Sequence, residues 1–220
     1  MEVNISLLKN APLFAGISEG EIQRLVECLG APIRSYGKGA ILWQAGDTVA
    51  QAGIVLDGII DAVQYHSDGS MELVTRHKPG SVFGDLLMGT QQPSPVTLQT
   101  PDGAQVLFLS LDAILSDCGR GCPCHVRLRH NLYTESAKKF FHLRRRLQYL
   151  SEPRLRQRVL TFLQDCRKDA GQDYFTIPFT RCEMADFLGA NRSALSRELS
   201  QLQQEGFIEF YRNSFRLLHA

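Results

Sequence analysis

The sequence has no run of ~20 apolar residues, the length a membrane-spanning helix requires. Its first residues, MEVNISLLKN, lack the basic start, apolar stretch and small-residue cleavage site of a secretory signal. There is no Gly-rich phosphate loop, no HExxH pair, and no Ser, His and Asp ordered about a nucleophile elbow. Low-complexity tracts and internal repeats are missing too. These absences predict a soluble, cytoplasmic, non-enzymatic protein with no membrane partner. At 220 residues it is long enough for two domains, each with its own core. In a reducing cytoplasm the six cysteines are expected to be core thiols, redox thiols or metal ligands rather than structural disulfides.

Acidic residues are absent from one stretch in particular. Residues 138–150 carry five basic and no acidic side chains, whereas residues 1–137 carry 9 basic against 14 acidic and residues 151–220 carry 10 against 9. The formal net charge of +1 therefore hides an acidic first half and a basic run from Lys138 through Arg144, Arg145 and Arg146 to Arg154, Arg156 and Arg158. Such a run can attract phosphates, although for any single charge a solvated helix face is the simpler explanation.

What is present is most specific near the C-terminus. Thr180 to Leu199 read TRCEMADFLGANRSALSREL, two short amphipathic helices hinged at Gly189. Met184, Phe187, Leu188, Leu195 and Leu199 supply apolar faces, and Ala185 is small where the helices must approach. Asn191, Arg192, Ser193, Ser196 and Arg197 fall on the outward side of the second helix, with Thr180 and Arg181 at the entry to the first. Short polar and guanidinium groups of this kind bond to base edges and phosphates when a helix lies in the major groove. GFIEF, Arg212-Asn213 and SFRLL then read as a β-hairpin, which completes a winged helix-turn-helix. Two core helices of a larger α domain would not explain an outward face without Asp or Glu until Glu198.

Upstream, residues 3–30 have helical apolar spacing, with Ser18 and Glu21 placed as an N-terminal capping box. From Pro32 to about Leu111 the pattern becomes short alternating runs broken by Gly37-Lys38-Gly39, Gly46-Asp47, Asp57-Gly58, Asp68-Gly69, Pro79-Gly80 and Asp102-Gly103. That spacing predicts a β-sandwich or barrel of jelly-roll type. A continuous helix is expected over Val126–Leu150. There Val126, Tyr133, Phe140 and Leu147 recur every seven residues and Leu143 and Leu150 fill the companion position, a dimerisation seam. Packing of this helix within its own domain is the competing reading. Ser151-Glu152-Pro153 breaks the helix. The expected division is thus a sensing domain over 1–125, a dimerisation helix over 126–150 and a DNA-binding domain over 151–220, an α+β protein.

Cys118, Cys122, Cys124 and His125 lie within eight residues of one another. They suit zinc, an iron–sulfur cluster or haem chemically, yet the single residue between Cys122 and Cys124 is not a standard zinc spacing. Partly buried thiols, redox-active thiols and metal ligands all remain open for them, and His66 and His77 are conceivable further ligands.

The order of these parts, with the phrases ILWQAGD, IVLDGIIDAV and PGSVFGDLLM and the helix-turn-helix segment, resembles the Crp/Fnr family of transcription regulators over essentially the whole chain. The resemblance implies a cyclic-nucleotide-binding-like jelly roll (a double-stranded β-helix). It also implies a homodimer on a palindromic site in double-stranded DNA, control by a small-molecule or redox effector, and RNA polymerase as a further candidate partner. It places the effector pocket at Gly84, Asp85, Leu86, Pro95 and Val96, with Tyr133 from the long helix. Two departures matter. Cyclic-AMP-binding relatives clamp the cyclic phosphate with an Arg-Ser pair where this chain has Pro95 and Val96, which argues against cyclic AMP because a buried anion needs a cation or several donors. Relatives that read the common half-sites carry Glu where this chain has Ser193, while Arg192 and Arg197 are retained as candidate guanine readers.

Overall fold

The computed structural model describes residues 5–116, 118–119 and 121–218. The chain forms two compact units, Met1–Lys138 and Lys139–Ala220.

The first unit begins with α1 (Ile5–Asn10), a 3-10 turn over Pro12–Phe14 and α2 (Glu19–Cys28). The helical region expected over 3–30 is therefore divided, and Pro12 explains the division because its ring cannot continue α1. The capping box is present: the Ser18 N–H donates to the Glu21 carboxylate at 3.0 Å and the Ser18 hydroxyl does so at 2.6 Å. These hydrogen bonds hold the Glu21 carboxyl below its ordinary range.

Eight strands follow: β1 (Ile33–Tyr36), β2 (Ile41–Trp43), β3 (Gln51–Gly58), β4 (Ile60–Tyr65), β5 (Met71–His77), β6 (Val82–Phe83), β7 (Thr97–Gln99) and β8 (Ala104–Ser110). They form two four-stranded antiparallel sheets, ordered β1-β8-β3-β6 and β2-β7-β4-β5, the jelly roll expected from the turn spacing. Strand periodicity divides the core. Val55, Val106 and Phe108 join Ile60, Phe83 and Leu98 in one cluster drawn from both sheets. Their neighbours Ile54, Leu56, Leu107 and Leu109 turn to the opposite face and pack with Leu8, Phe14, Ile22 and Leu25. Each such fully buried side chain contributes about 1.5–3 kcal/mol relative to exposure. After β8 comes α3 (Leu111–Leu115), capped by the Ser110 hydroxyl, which accepts from the Ala113 N–H at 3.2 Å.

The long helix is α4 (Pro123–Ser151), 29 residues, with proline in its first turn, where a missing N–H costs nothing. Within the first unit, Leu128 and Cys124 of α4 are buried, and the Asn131 amide donates to the carbonyls of Leu13 and Ala15 at 2.9 Å each. Within the second, Tyr149 is buried against Phe162, and its hydroxyl donates to Asp165 at 2.8 Å.

The second unit continues with α5 (Leu155–Ala170), ended by left-handed Gly171, then β9 (Tyr174–Thr176), α6 (Arg181–Phe187), α7 (Arg192–Gln204), β10 (Ile208–Tyr211) and β11 (Ser214–Leu217). The hairpin expected at Arg212-Asn213 is there, Arg212 taking φ 54°. A third strand, β9, pairs with β11 and gives the order β10-β11-β9.

Candidate functional site

The two helices α6 and α7 are fixed by their caps and their turn. Thr180 caps α6, its hydroxyl accepting from the Glu183 N–H while Glu183 reaches back to the Thr180 N–H at 2.7 Å. Gly189 has φ 59°, and a Cβ there would lie 2.6 Å from Leu150 Cδ2. A side chain at this position would be strained by the left-handed conformation and would have to displace the end of the Leu150 side chain. Arg158 donates to the backbone carbonyls of Leu188, Gly189 and Glu152, so the turn is anchored to α5 by charge-assisted hydrogen bonds. Beneath it lie Met184, Ala185, Leu188, Leu195 and Leu199, all buried as expected.

On α7, Asn191 is the N-cap, its side-chain oxygen accepting from the Ser193 N–H at 2.9 Å and from the Ser193 hydroxyl. Two of the candidate base readers are thereby engaged with each other at the tip of the helix. Arg192 and Arg197 are exposed and have no hydrogen-bond or ion-pair partner among the described residues. Ser196 and Arg197 line a surface groove of about 590 Å³ that runs on past Ser200, Gln201 and Gln204. Arg181 has a different employment. Its guanidinium lies over the rings of Phe210 and Phe215 and donates to the Arg212 carbonyl at 2.9 Å, and burial lowers its pKa. It joins α6 to the wing.

Part of the basic run is paired inside the second unit. Arg145 meets Asp169, Arg156 meets Glu205 and Glu198, and Arg146 lies 5.8 Å over the Phe187 ring. In the first unit Lys138 meets Glu135 at 2.7 Å. Acidic partners thus take up the charge of Lys138, Arg145 and Arg156, those of the two arginines being distant in sequence.

Of the expected dimer residues, Val126, Tyr133, Phe140, Leu143 and Leu147 are 55–75% exposed and Leu150 is 39% exposed. An α4 packed only within its own domain would have buried them.

Aromatic rings crowd the space between the two sheets of the first unit. The Phe83 ring occupies the space above Gly53, where a Cβ would lie 2.1 Å from Phe83 Cζ, and Trp43 and Phe108 flank that ring. Gly84, Asp85 and Leu86 follow β6; Leu86 and Pro95 are exposed, and Val96 packs partly against the inter-sheet core. Tyr133 is exposed on α4. None of these six lines the cavity of about 380 Å³ bounded by Arg34, Tyr36, Trp43, Asp47, Gln51 and Phe108. Buried Ser94 ties the Pro95 segment down, accepting from the Trp43 indole N–H at 3.1 Å and donating to the Val96 carbonyl at 2.7 Å.

The thiols sort into two kinds. Cys166 is pushed up to about 12, first by burial and then by Asp169 and Asp165. In the first unit Cys28, Cys118 and His125 bring their ligand atoms within 4.8 Å of one another. Cys28 closes α2, and no local spacing in the sequence pointed to it. Cys122 is hydrogen-bonded to Cys118, which together with burial and the neighbouring thiols raises its pKa. Cys124 is buried in the helix-side core. His125 is 4% exposed, and neither ring nitrogen has a hydrogen-bond partner among the described residues. Each polar atom left so costs about 1–3 kcal/mol. His66 pairs instead with Glu72 at 3.2 Å, and His77 packs on the Phe83 ring, so neither joins this group.

Residues 157–220 match the Crp-like helix-turn-helix domain, and residues 33–118 match the cyclic nucleotide-binding domain. A probable transcriptional regulator, flp, of Lacticaseibacillus casei is 28% identical over 210 residues, 95% of this chain and 92% of its own. The transcriptional activator protein FnrA of Stutzerimonas stutzeri is 24% identical over 196 residues, 87% of this chain and 77% of its own. Among solved structures, the catabolite activator protein of Thermus thermophilus superposes with a TM-score of 0.56 at 22% identity, covering 94% of this chain and 93% of its own. CprK complexed with OCPA gives 0.61 at 16% identity, covering 90% and 91%. These two likenesses concern the fold.

Proposed function

We propose that this chain, which belongs to the Crp/Fnr family of transcription regulators, is a cytoplasmic homodimer that reads a palindromic promoter site through α7 under the control of an effector other than cyclic AMP. The observation that carries the reading is the outward face of α7, where Arg192 and Arg197 stand exposed and Ser196 half-buried on a helix whose cap, turn and core are all fixed. A capped helix with two guanidinium groups unpaired among the described residues suits guanine readout in the major groove. The unpaired apolar stripe of α4 supports dimerisation, which would set two readers on two half-sites. Pro95 and Val96 support the exclusion of cyclic AMP, since neither offers a donor side chain to a phosphate. No helix among the described residues is long and apolar enough to cross a membrane.

Selection from a random DNA library, followed by binding of the selected site at two salt concentrations, tests this. The expected result is a palindrome containing guanine in each half-site, with affinity falling as salt rises. Recovery of no common sequence, or binding indifferent to salt, would overturn the proposal.

A second reading, that the cysteine segment makes the protein responsive to redox state or metal, is favoured by one observation: the orphaned imidazole of His125.

A further inference from the structure

We propose that Cys28, Cys118, Cys122 and His125 form a mononuclear zinc site in the first unit, one that staples the end of α2 to the start of α4. The site lies wholly outside α7 and stands whether or not α7 reads DNA, so its test and the DNA selection fail separately.

Two independent observations converge. The first is geometric. Cys28 ends α2, Cys118 lies in the connection after α3, and His125 is in the first turn of α4, yet one ligand atom from each falls within 4.8 Å of the others. With Zn–S distances of about 2.3 Å and Zn–N of about 2.0–2.1 Å, the ligand atoms of a tetrahedral site stand roughly 3.3–3.8 Å apart. The three atoms therefore need to contract by roughly 1.5 Å at most to close on an ion. An iron–sulfur cluster, with several irons between its thiolates, would hold them farther apart.

The second observation is the imidazole. His125 is 4% exposed with both ring nitrogens shut off from solvent and unpartnered among the described residues. A buried imidazole in that state wants either a donor or a Lewis acid, and its neighbours are thiols that become good ligands on losing their protons.

Cys122 supplies the fourth ligand, already hydrogen-bonded to Cys118. Binding would release one proton from each of three thiols to solvent and leave three Zn–S bonds and one Zn–N bond, with no change of oxidation state. The staple would add to the apolar packing between these segments and to the hydrogen bonds by which Asn131 of α4 holds the Leu13 and Ala15 carbonyls.

The test uses the full-length protein, purified anaerobically with reductant, and measures metal content and the spectrum after exchange with cobalt(II). Expected are one zinc per protomer and a cobalt complex with thiolate charge-transfer bands and the intense visible bands of tetrahedral coordination. Cys28→Ser and His125→Ala should each weaken zinc binding at least about tenfold in competition with a chromophoric chelator. Cys182→Ser and Cys124→Ala should leave it unchanged. Circular dichroism of each variant separates loss of a ligand from loss of fold, and the wild-type cobalt spectrum tests the site without any variant. Overturning results are absence of stoichiometric metal, a weak octahedral cobalt spectrum, retention of zinc by folded Cys28→Ser, or acid-labile sulfide in the anaerobic protein.

Discussion

Arg197 carries the sharpest prediction at the scale of single residues. It is exposed beside the groove of α7 and lacks an internal partner among the described residues, so its removal disturbs no internal bond. Arg197→Ala is expected to weaken binding to the selected palindrome by ~1–3 kcal/mol and relax one guanine, whereas Lys138→Ala, which loses only an exposed pair with Glu135, changes affinity little. Fluorescence anisotropy on matched and single-base-changed sites measures both, and an unchanged Arg197→Ala would remove that residue from the interface. Cys166 offers a second prediction. A thiol raised to about 12 is almost wholly protonated near neutral pH, and since the thiolate is the nucleophile, Cys166 should alkylate far more slowly than exposed Cys182 and accelerate only as pH climbs toward that value. Mass spectrometry after timed alkylation checks this; comparable labelling at pH 7 would show that the burial is not maintained. At this scale, local chemistry was legible and distant chemistry was not. Ser18 with Glu21 and Thr180 with Glu183 are caps written three residues apart. The engagement of Arg181 with the Phe210 and Phe215 rings, and of Arg156 with Glu205, depends on a fold that brings residues some thirty to fifty positions away.

Elements were legible where their period was long and sustained. The heptad in α4 predicted both a helix and the face left exposed, and the helix runs three residues further N-terminally because Pro123 is tolerated in a first turn. Strand β9 escaped notice because YFT is too short to show alternation, and it exists through its pairing with β11. The exposed stripe predicts what holds two copies together. Changing Phe140 and Leu147 to Asp would place charge in the seam and should give monomers with poor DNA affinity. Sedimentation showing an intact dimer would move the interface elsewhere.

At the scale of the whole molecule, the sequence disclosed the order of parts, since turn chemistry, heptad and helix-turn-helix each announce themselves locally. It did not disclose the packing between the sheets. Phe83 is an ordinary strand residue until it is seen lying over Gly53, and Cys28 is an ordinary helix terminus until Cys118 and His125 arrive beside it. The Phe83 ring over Gly53 and the absence of an Arg-Ser clamp lead to the same expectation: cyclic AMP at micromolar concentration should give no heat of binding in calorimetry and no gain in DNA affinity. A measurable micromolar affinity would require that the Phe83 ring yield and that another residue meet the phosphate.

The unbroken course of α4 has a consequence for its length. Each residue advances the helix by about 100°, so one residue inserted between Tyr133 and Phe140 would point the two halves of the apolar stripe in different directions, while seven would restore them to nearly a common line. The helix therefore has a screw phase as well as a composition. A one-residue insertion should abolish the dimer on sedimentation and a seven-residue insertion should preserve it, which makes α4 a segment whose outward polar residues are free to vary but whose count is set in whole heptads.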